Sequence, residues 1–355
     1  MRISTIKISF TAISLALLFT VSSCVKEPVP PVLQPEDTTY KFVKPSNFPA
    51  TSYDFASNSV TKEGFLLGKK IFYDRQFSSD GTISCSSCHT SFSSFANYGH
   101  AVSHGVQNRQ GTRNAPALMN LAWQNQFFWD GGVLDLDHVP INAFTAPFEM
   151  NETLDHIIYK INKDSDYRSR FKAAFDVDSA STPQLLKAIA QFTVMIVSAN
   201  SKYDKYKRGE TGGTFTSAEQ AGLQLFQAKC ATCHKSEFFS DFSFRNNGMT
   251  VNTTDKGRSK ITLNAVDDYK FKMPSLRNLS FTAPYMHDGS IGTLEAVVAQ
   301  YATGVRNTAA SLDPALIRPQ GAGFGIPLSA AEQANIVAFL KTLDDDAFVH
   351  DTKFQ

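Results

Sequence analysis

Along the chain, apolar positions recur at helical rather than strand spacing. EGFLLGKKIFYD, from Glu63, and EQAGLQLFQAKC, ending at Cys230, both set apolar residues three and four apart. NETLDHIIYKIN keeps that period, and TPQLLKAIAQFTVMIVSAN predicts a buried helix opened by Thr182 with Pro183 in its first turn. Strand signals are weak. The pattern predicts an all-α fold with long ordered loops. The N-terminus reads differently. Arg2 and Lys7 precede an apolar run from Ile8 to Val21, shorter than the ~20 residues of a spanning helix, which reads as the core of a secretory signal peptide over residues 1–23. The run ends in VSSC, small residues before a cysteine, as in a bacterial lipoprotein processing box. Proline-rich VKEPVPPVLQPEDTTY then opens an extended tether over 24–60. An exported, periplasm-facing lipoprotein, anchored to a bacterial membrane through Cys24, is the expectation.

The apolar pattern also repeats. APALMNLAWQNQFFWDGGVLDL, from Ala115, matches MPSLRNLSFTAPYMHDGSIGTL, from Met273. Pro116, Leu118, Asn120, Leu121, Asp130 and Gly131 correspond in register to Pro274, Leu276, Asn278, Leu279, Asp288 and Gly289. Each stretch follows one of the two Gly…Phe helical patterns, which implies an internal duplication. Two cytochrome c-like domains are expected, over 61–200 and 201–355, with the boundary in the charged, glycine-bearing NSKYDKYKRGETGGTFT.

Composition adds bounds. The 355 residues suffice for two modest domains, and 42% hydrophobic with 19% charged residues is globular. Lysine and arginine number 34 against 33 acids, so no overall field points to nucleic acid. The 29 phenylalanines suit cores that wrap flat apolar groups as well as ordinary packing.

The chemistry lies in the five cysteines. Apart from Cys24, they form CSSCH and CATCH. A redox pair or half a zinc site would explain Cys85–Cys88 or Cys230–Cys233, but neither needs a histidine directly afterwards in both copies. Covalent haem does: the thiols form thioethers and the next residue supplies the proximal imidazole. Two c-type haems are therefore expected, with His89 and His234 on iron.

With LGKKIFYDRQFSSDGTISCSSCH, GTRNAPALMN, FFWDGG, PFEM, MPSLRNLSFTAPYMHDGS and TLEAVVAQYATG, the chain resembles the bacterial di-haem cytochrome c peroxidases and their relative, the methylamine-utilisation di-haem enzyme. The resemblance covers nearly everything after about Thr61. It implies an N-terminal haem that reacts with hydrogen peroxide and a C-terminal haem that takes in or stores electrons from a small donor, a cytochrome c or cupredoxin. A homodimer is compatible with it. Glu149 in PFEM matches the family's distal-pocket glutamate, which moves a proton between the peroxide oxygens. Trp129 matches the tryptophan between the haems. Asn114, Thr282 and Pro284 match an inter-domain calcium site.

The chain also departs from the family. At the C-terminal sixth-ligand position peroxidases carry methionine; here it is Tyr301, as in the methylamine-utilisation enzyme. A phenolate lowers a ferric haem's potential, whereas a thioether raises it. Met286 is a spare sulfur. The corresponding N-terminal position, Ala143, cannot ligate. The family's removable distal histidine falls on Val106, with His104 two residues away and His100 nearby, and its pocket glutamine falls on Val139. His138, His156 and His350 are expected at the surface, and His287 near a haem propionate or between domains. The expected activity is peroxide reduction; the rivals are a di-haem oxidase of another protein or small molecule through high-valent iron, and a non-catalytic electron carrier.

Overall fold

The chain alternates short helices with long, internally hydrogen-bonded loops. The computed structural model describes residues 38–249, 254–307 and 309–355. The predicted signal run, Cys24 and the first part of the tether lie outside the described residues. Thr39–Gln355 gather into one compact unit.

Helix α1 spans Lys62–Tyr73, opened by Thr61, whose hydroxyl accepts from Gly64 N at 3.0 Å. After the first CxxCH and a long loop come α2 (Val139–Thr145), α3 (Leu154–Lys163), α4 (Ser165–Phe175) and α5 (Thr182–Thr193). The sequence placed the opening of α5 at Thr182. The cap is Ser181, which exchanges hydrogen bonds with Gln184, and Thr182 and Pro183 form the first turn. The predicted linker after α5 carries a helix of its own, α6 (Lys202–Arg208), capped by Ser201 and ended by Gly209 at φ 68°. The second half follows with α7 (Ser217–Lys229), α8 (Ser259–Thr262), α9 (Leu294–Ala299), α10 (Ala330–Lys341) and α11 (Asp346–Val349). Sheet among the described residues is confined to one antiparallel pair, β1 (Phe244–Arg245) and β2 (Phe271–Lys272), with Phe244 opposite Lys272.

The same devices occur in each half. Helix α1 crosses α5 at Gly68, where a Cβ would lie 1.9 Å from Ala188 O. Helix α7 crosses α10 at Gly222, where a Cβ would lie 1.9 Å from Asn335 O. Asn120 and Asn278 both take left-handed conformations, at φ 58° and 60°, before a 3-10 turn. The bridges Phe127–Val133 and Tyr285–Ile291 close equivalent loops.

One core lies within the first half, around Leu67, Phe77, Ile157, Tyr167 and Phe171, and another within the second, around Leu223, Phe226, Phe339 and Leu340. A third draws on both: Phe48, Phe65, Phe95, Trp123 and Phe192 meet Phe238, Phe348 and Phe354. At this junction Arg277 and Asp204 form a fully buried ion pair, with Arg277 donating at 2.7 and 2.9 Å.

Candidate functional site

Each CxxCH segment is a tight turn. His89 N donates to Cys85 O at 3.0 Å and His234 N to Cys230 O at 2.9 Å, so each imidazole returns to the side of its thiols. The first turn is braced by Ser84, whose N donates to Ser87 Oγ at 3.0 Å. The second caps α7, with Cys230 N on Phe226 O at 2.8 Å. Each ring is oriented through Nδ1, which donates to Phe95 O at 2.6 Å in His89 and to Phe239 O at 3.0 Å in His234. This leaves Nε2 free. Burial lowers both histidine pKa values, keeping the rings neutral.

The four cysteines are unpaired. Burial, then Cys88, then Glu149 push the Cys85 thiol up to about 12; burial and Cys233 push Cys230 up to about 11. A zinc site would hold such thiols as thiolates among further ligands. Among the described residues no three His, Cys, Asp or Glu side chains gather in that way. Two desolvated thiols beside one neutral, pre-oriented imidazole fit covalent haem at both sites.

Glu149 faces the first site: its charge acts on both Cys85 and Cys88. Burial pushes its carboxyl up. The neighbouring loop closes tightly on it, since Val106 N donates to Glu149 O at 2.8 Å and a Cβ on Gly105 would lie 2.5 Å from that oxygen. Val106, at the family's histidine position, is fully buried. His104 brings its backbone, and Ser103 its hydroxyl, to the Cys88 thiol. The His104 ring turns to Asn108, Nδ1 to Oδ1 2.7 Å, and stands edge-on to His100 at 5.7 Å. His138, His156 and His350 lie at the surface.

Trp129 Nε1 donates to Asn114 O at 2.8 Å, and Asn114 N donates to His287 O at 2.8 Å. The buried His287 ring lies 6.5 Å from the Trp129 ring and stacks on Phe271 at 3.6 Å. The three proposed calcium residues come from neighbouring segments. Asn114 Nδ2 donates to His100 O and Ala101 O at 3.2 and 3.1 Å, Gly99 N donates to Ala283 O at 2.9 Å, and Thr282 Oγ1 reaches Leu279 O at 3.5 Å.

The second site carries both candidate sixth ligands. Tyr301 sits in a π-helical turn, Gln300–Gly304, and its carbonyl accepts from Ile326 N at 2.8 Å. Burial raises its pKa, a hydrogen bond from Asn247 lowers it, and the Cys233 and Cys230 thiols raise it, so the phenol faces the second CxxCH. Asn247 Nδ2 lies 3.5 Å from both Met286 Sδ and Tyr301 Oη.

Sequence reading missed Asn247, the Arg245–Asp241–Asp313 cluster beside Cys233, and the Arg113 fork on Asp130 and Asp255. Apart from Arg245, which ends the two-residue strand β1, these polar residues lie in loops without periodicity, and only the Asn-Gly turn signal at Asn247–Gly248 marks the place.

The sequence profile described as di-haem cytochrome c peroxidase matches residues 62–212. The chain is 30% identical over 312 residues to methylamine utilization protein MauG of Methylophilus methylotrophus, covering 86% of this chain and 89% of that protein. It is 31% identical over 350 residues to cytochrome c551 peroxidase of Nitrosomonas europaea, covering 96% and 92%. Among solved structures, a MauG-like protein associated with microbial copper homeostasis is similar with TM-score 0.81 and 31% identity, covering 89% of this chain and 99% of that one. The diheme peroxidase BthA from Burkholderia thailandensis shares the fold, with TM-score 0.69 at 22% identity over 81% of this chain and 87% of that one.

Proposed function

The chain belongs to the di-haem cytochrome c peroxidase family, and on that premise we propose that it reduces hydrogen peroxide to water with electrons from an external donor protein, a small cytochrome c or cupredoxin. One observation carries this reading: a desolvated carboxyl, Glu149, faces the thiols of the first CxxCH. His89 would hold the iron of the first haem through its free Nε2, and His234 that of the second. Bound iron would pass to peroxide the electrons drawn from the donor protein. Glu149, with its carboxyl pushed up by burial, moves a proton between the peroxide oxygens. Val106 keeps that face apolar, and Ala143 offers no donor atom. Trp129, fixed through Asn114, carries electrons between the sites.

A second reading is an oxidase acting on another protein or small molecule. Tyr301 supports it, because its phenolate, if it held the second iron, would make that haem low in potential. The relatives include proteins named for methylamine utilization. The third reading, a non-catalytic carrier, requires two saturated irons.

The paired devices of the two halves support reading residues 61–200 and 201–355 as cytochrome c-like domains related by duplication. The joining of residues 99–114 to the loop at 282–287 supports one calcium held by Asn114, Thr282 and Pro284. His104, whose backbone approaches the Cys88 thiol while its ring bonds Asn108, is read as lining the first site rather than as an iron ligand. Export, a lipid anchor at Cys24 and a homodimer complete the proposal on sequence grounds.

Electron paramagnetic resonance of the oxidised protein, with and without peroxide, tests the function. A high-spin signal that peroxide alters, together with turnover, is the expected result. Two low-spin signals indifferent to peroxide in every redox state would leave a carrier.

A further inference from the structure

Lys272 has no role in the reading above, yet it grips the Trp129 segment at three points. Its backbone N donates to Trp129 O at 2.7 Å, and its ammonium donates to Gln124 Oε1 at 2.6 Å and to Gln126 O at 2.8 Å. Strand pairing fixes it from behind, with Phe244 opposite. The side chain thus spans the turn that carries the indole. Its position also bears on charge. Among the described residues no carboxylate pairs with this ammonium, and burial pushes it down to about 7.

The surrounding charges are otherwise engaged. Asp130 attracts the ammonium from a distance but is bonded to Arg113 at 2.6 Å. Arg113 also forks onto Asp255. Arg258, from the segment below, donates to Asp130 O and Gly131 O. Arg245, beside Phe244 on β1, is held by Asp241 and Asp313. His287, stacked on the adjacent Phe271, has its pKa lowered by burial.

We propose that Lys272 is the positioning residue of Trp129 and an electrostatic gate on electron passage through it. The inference rests on Trp129 bridging the two sites. An electron leaves the indole toward the His89 side and another enters from the His234 side; one electron moves in total and no atom is displaced. In the interval the indole lacks an electron, and an ammonium on the same segment raises the energy of that state. Losing the ammonium's proton removes the penalty and leaves N–H donors for the clamp.

The test is the rate of electron transfer between the haems in the half-reduced di-haem protein, followed by stopped-flow or pulse reduction across pH 6–8.5. The wild-type rate should rise several-fold as pH passes about 7. Lys272→Arg keeps donors and charge, and should hold the slow, low-pH rate throughout. Lys272→Met should lose this pH step. Haem content by mass identifies a variant that fails to assemble, and the wild-type profile needs no variant. Trp129→Phe, measured alongside, separates the two failures. If it leaves the rate unchanged, the bridge reading falls and the gate with it. If it slows transfer while Lys272→Arg and Lys272→Met both keep the wild-type profile, Lys272 alone is excluded. A wild-type rate flat across this range also overturns the gate.

Discussion

At the scale of single residues, both sites put a polar side chain where burial alone would forbid it. Glu149 is the sharper case. Its carboxyl is desolvated, and the loop carrying Val106 closes against its backbone. Glu149→Gln keeps the shape of the side chain but cannot shuttle a proton, so peroxide turnover should fall roughly 10²-fold or more with both haems retained. Near wild-type turnover at full haem content would remove Glu149 from the mechanism. Tyr301 poses a different contest. Burial resists ionising the phenol, whereas iron deprotonates its ligands. Coordination should win, so Tyr301→Phe should change the spectrum and potential of the second haem without detaching it, and Met286→Leu should leave both nearly intact. The reverse pattern would make Met286 the ligand and the second haem high in potential. The two CxxCH motifs mark the cysteines and their histidines by spacing alone, whereas Glu149 and Tyr301 stand out in the chain only through the resemblance to the family. Asn247 was legible in neither way, since its contact with both candidate ligands arises only when residues 247, 286 and 301 are folded together.

At the scale of elements, helix crossing governs whether the thiols are presented at all. Helix α7 ends on Cys230, and its approach to α10 is set by Gly222, the residue facing Asn335 O and Phe339 Cβ. A methyl group there would lie 1.9 Å from a backbone oxygen, a clash that side-chain rotation cannot relieve. Gly222→Ala should therefore force the helices apart at ~1–3 kcal/mol, the usual range for overpacking. Its readouts are a lower unfolding midpoint and incomplete haem attachment at Cys230 and Cys233, with Cys85 and Cys88 fully loaded. Equal haem loss at both sites would show that the crossing does not act locally. Periodicity announced α1, α3, α5 and α7 because each buries one face. It could not announce which small residue makes the crossing, nor that the apolar run after α5 leaves the helix at Thr193 and continues through a turn as buried, irregular core chain. The short helix α6 was read as linker because its charges mask the Ser201 cap and the Gly209 stop.

At the scale of the molecule, the two halves meet around charge as well as aromatic packing. Asp204 lies on α6 and Arg277 in the loop before the second Asn turn; both are fully buried. Arg277 also donates to Glu237 O at 2.7 Å and lies 4.9 Å over the Phe48 ring, while Asp204 accepts from Ser201 N, Ser201 Oγ and Asn47 Nδ2. A pair so fully bonded is costly to break, because removing one partner strands the other charge out of water. Asp204→Asn should destabilise the folded protein by ~3–5 kcal/mol. The double replacement Asp204→Leu with Arg277→Met should recover much of that loss, since no charge remains buried. The same pair sets an acid limit. Against desolvation, which pushes the other way, Arg277 and the Ser201 donors hold the Asp204 carboxyl below its ordinary value. The folded state therefore binds this proton less readily than the unfolded chain does. The resulting stability is fully present above the ordinary carboxylate value near about 4 and is lost as pH falls through the depressed one. Denaturant unfolding of the wild-type di-haem protein from pH 6 down to 2 should show this loss, and Asp204→Asn should show a correspondingly smaller one. An equal acid dependence in the two proteins would assign the limit to other carboxylates and reduce the pair to a packing element.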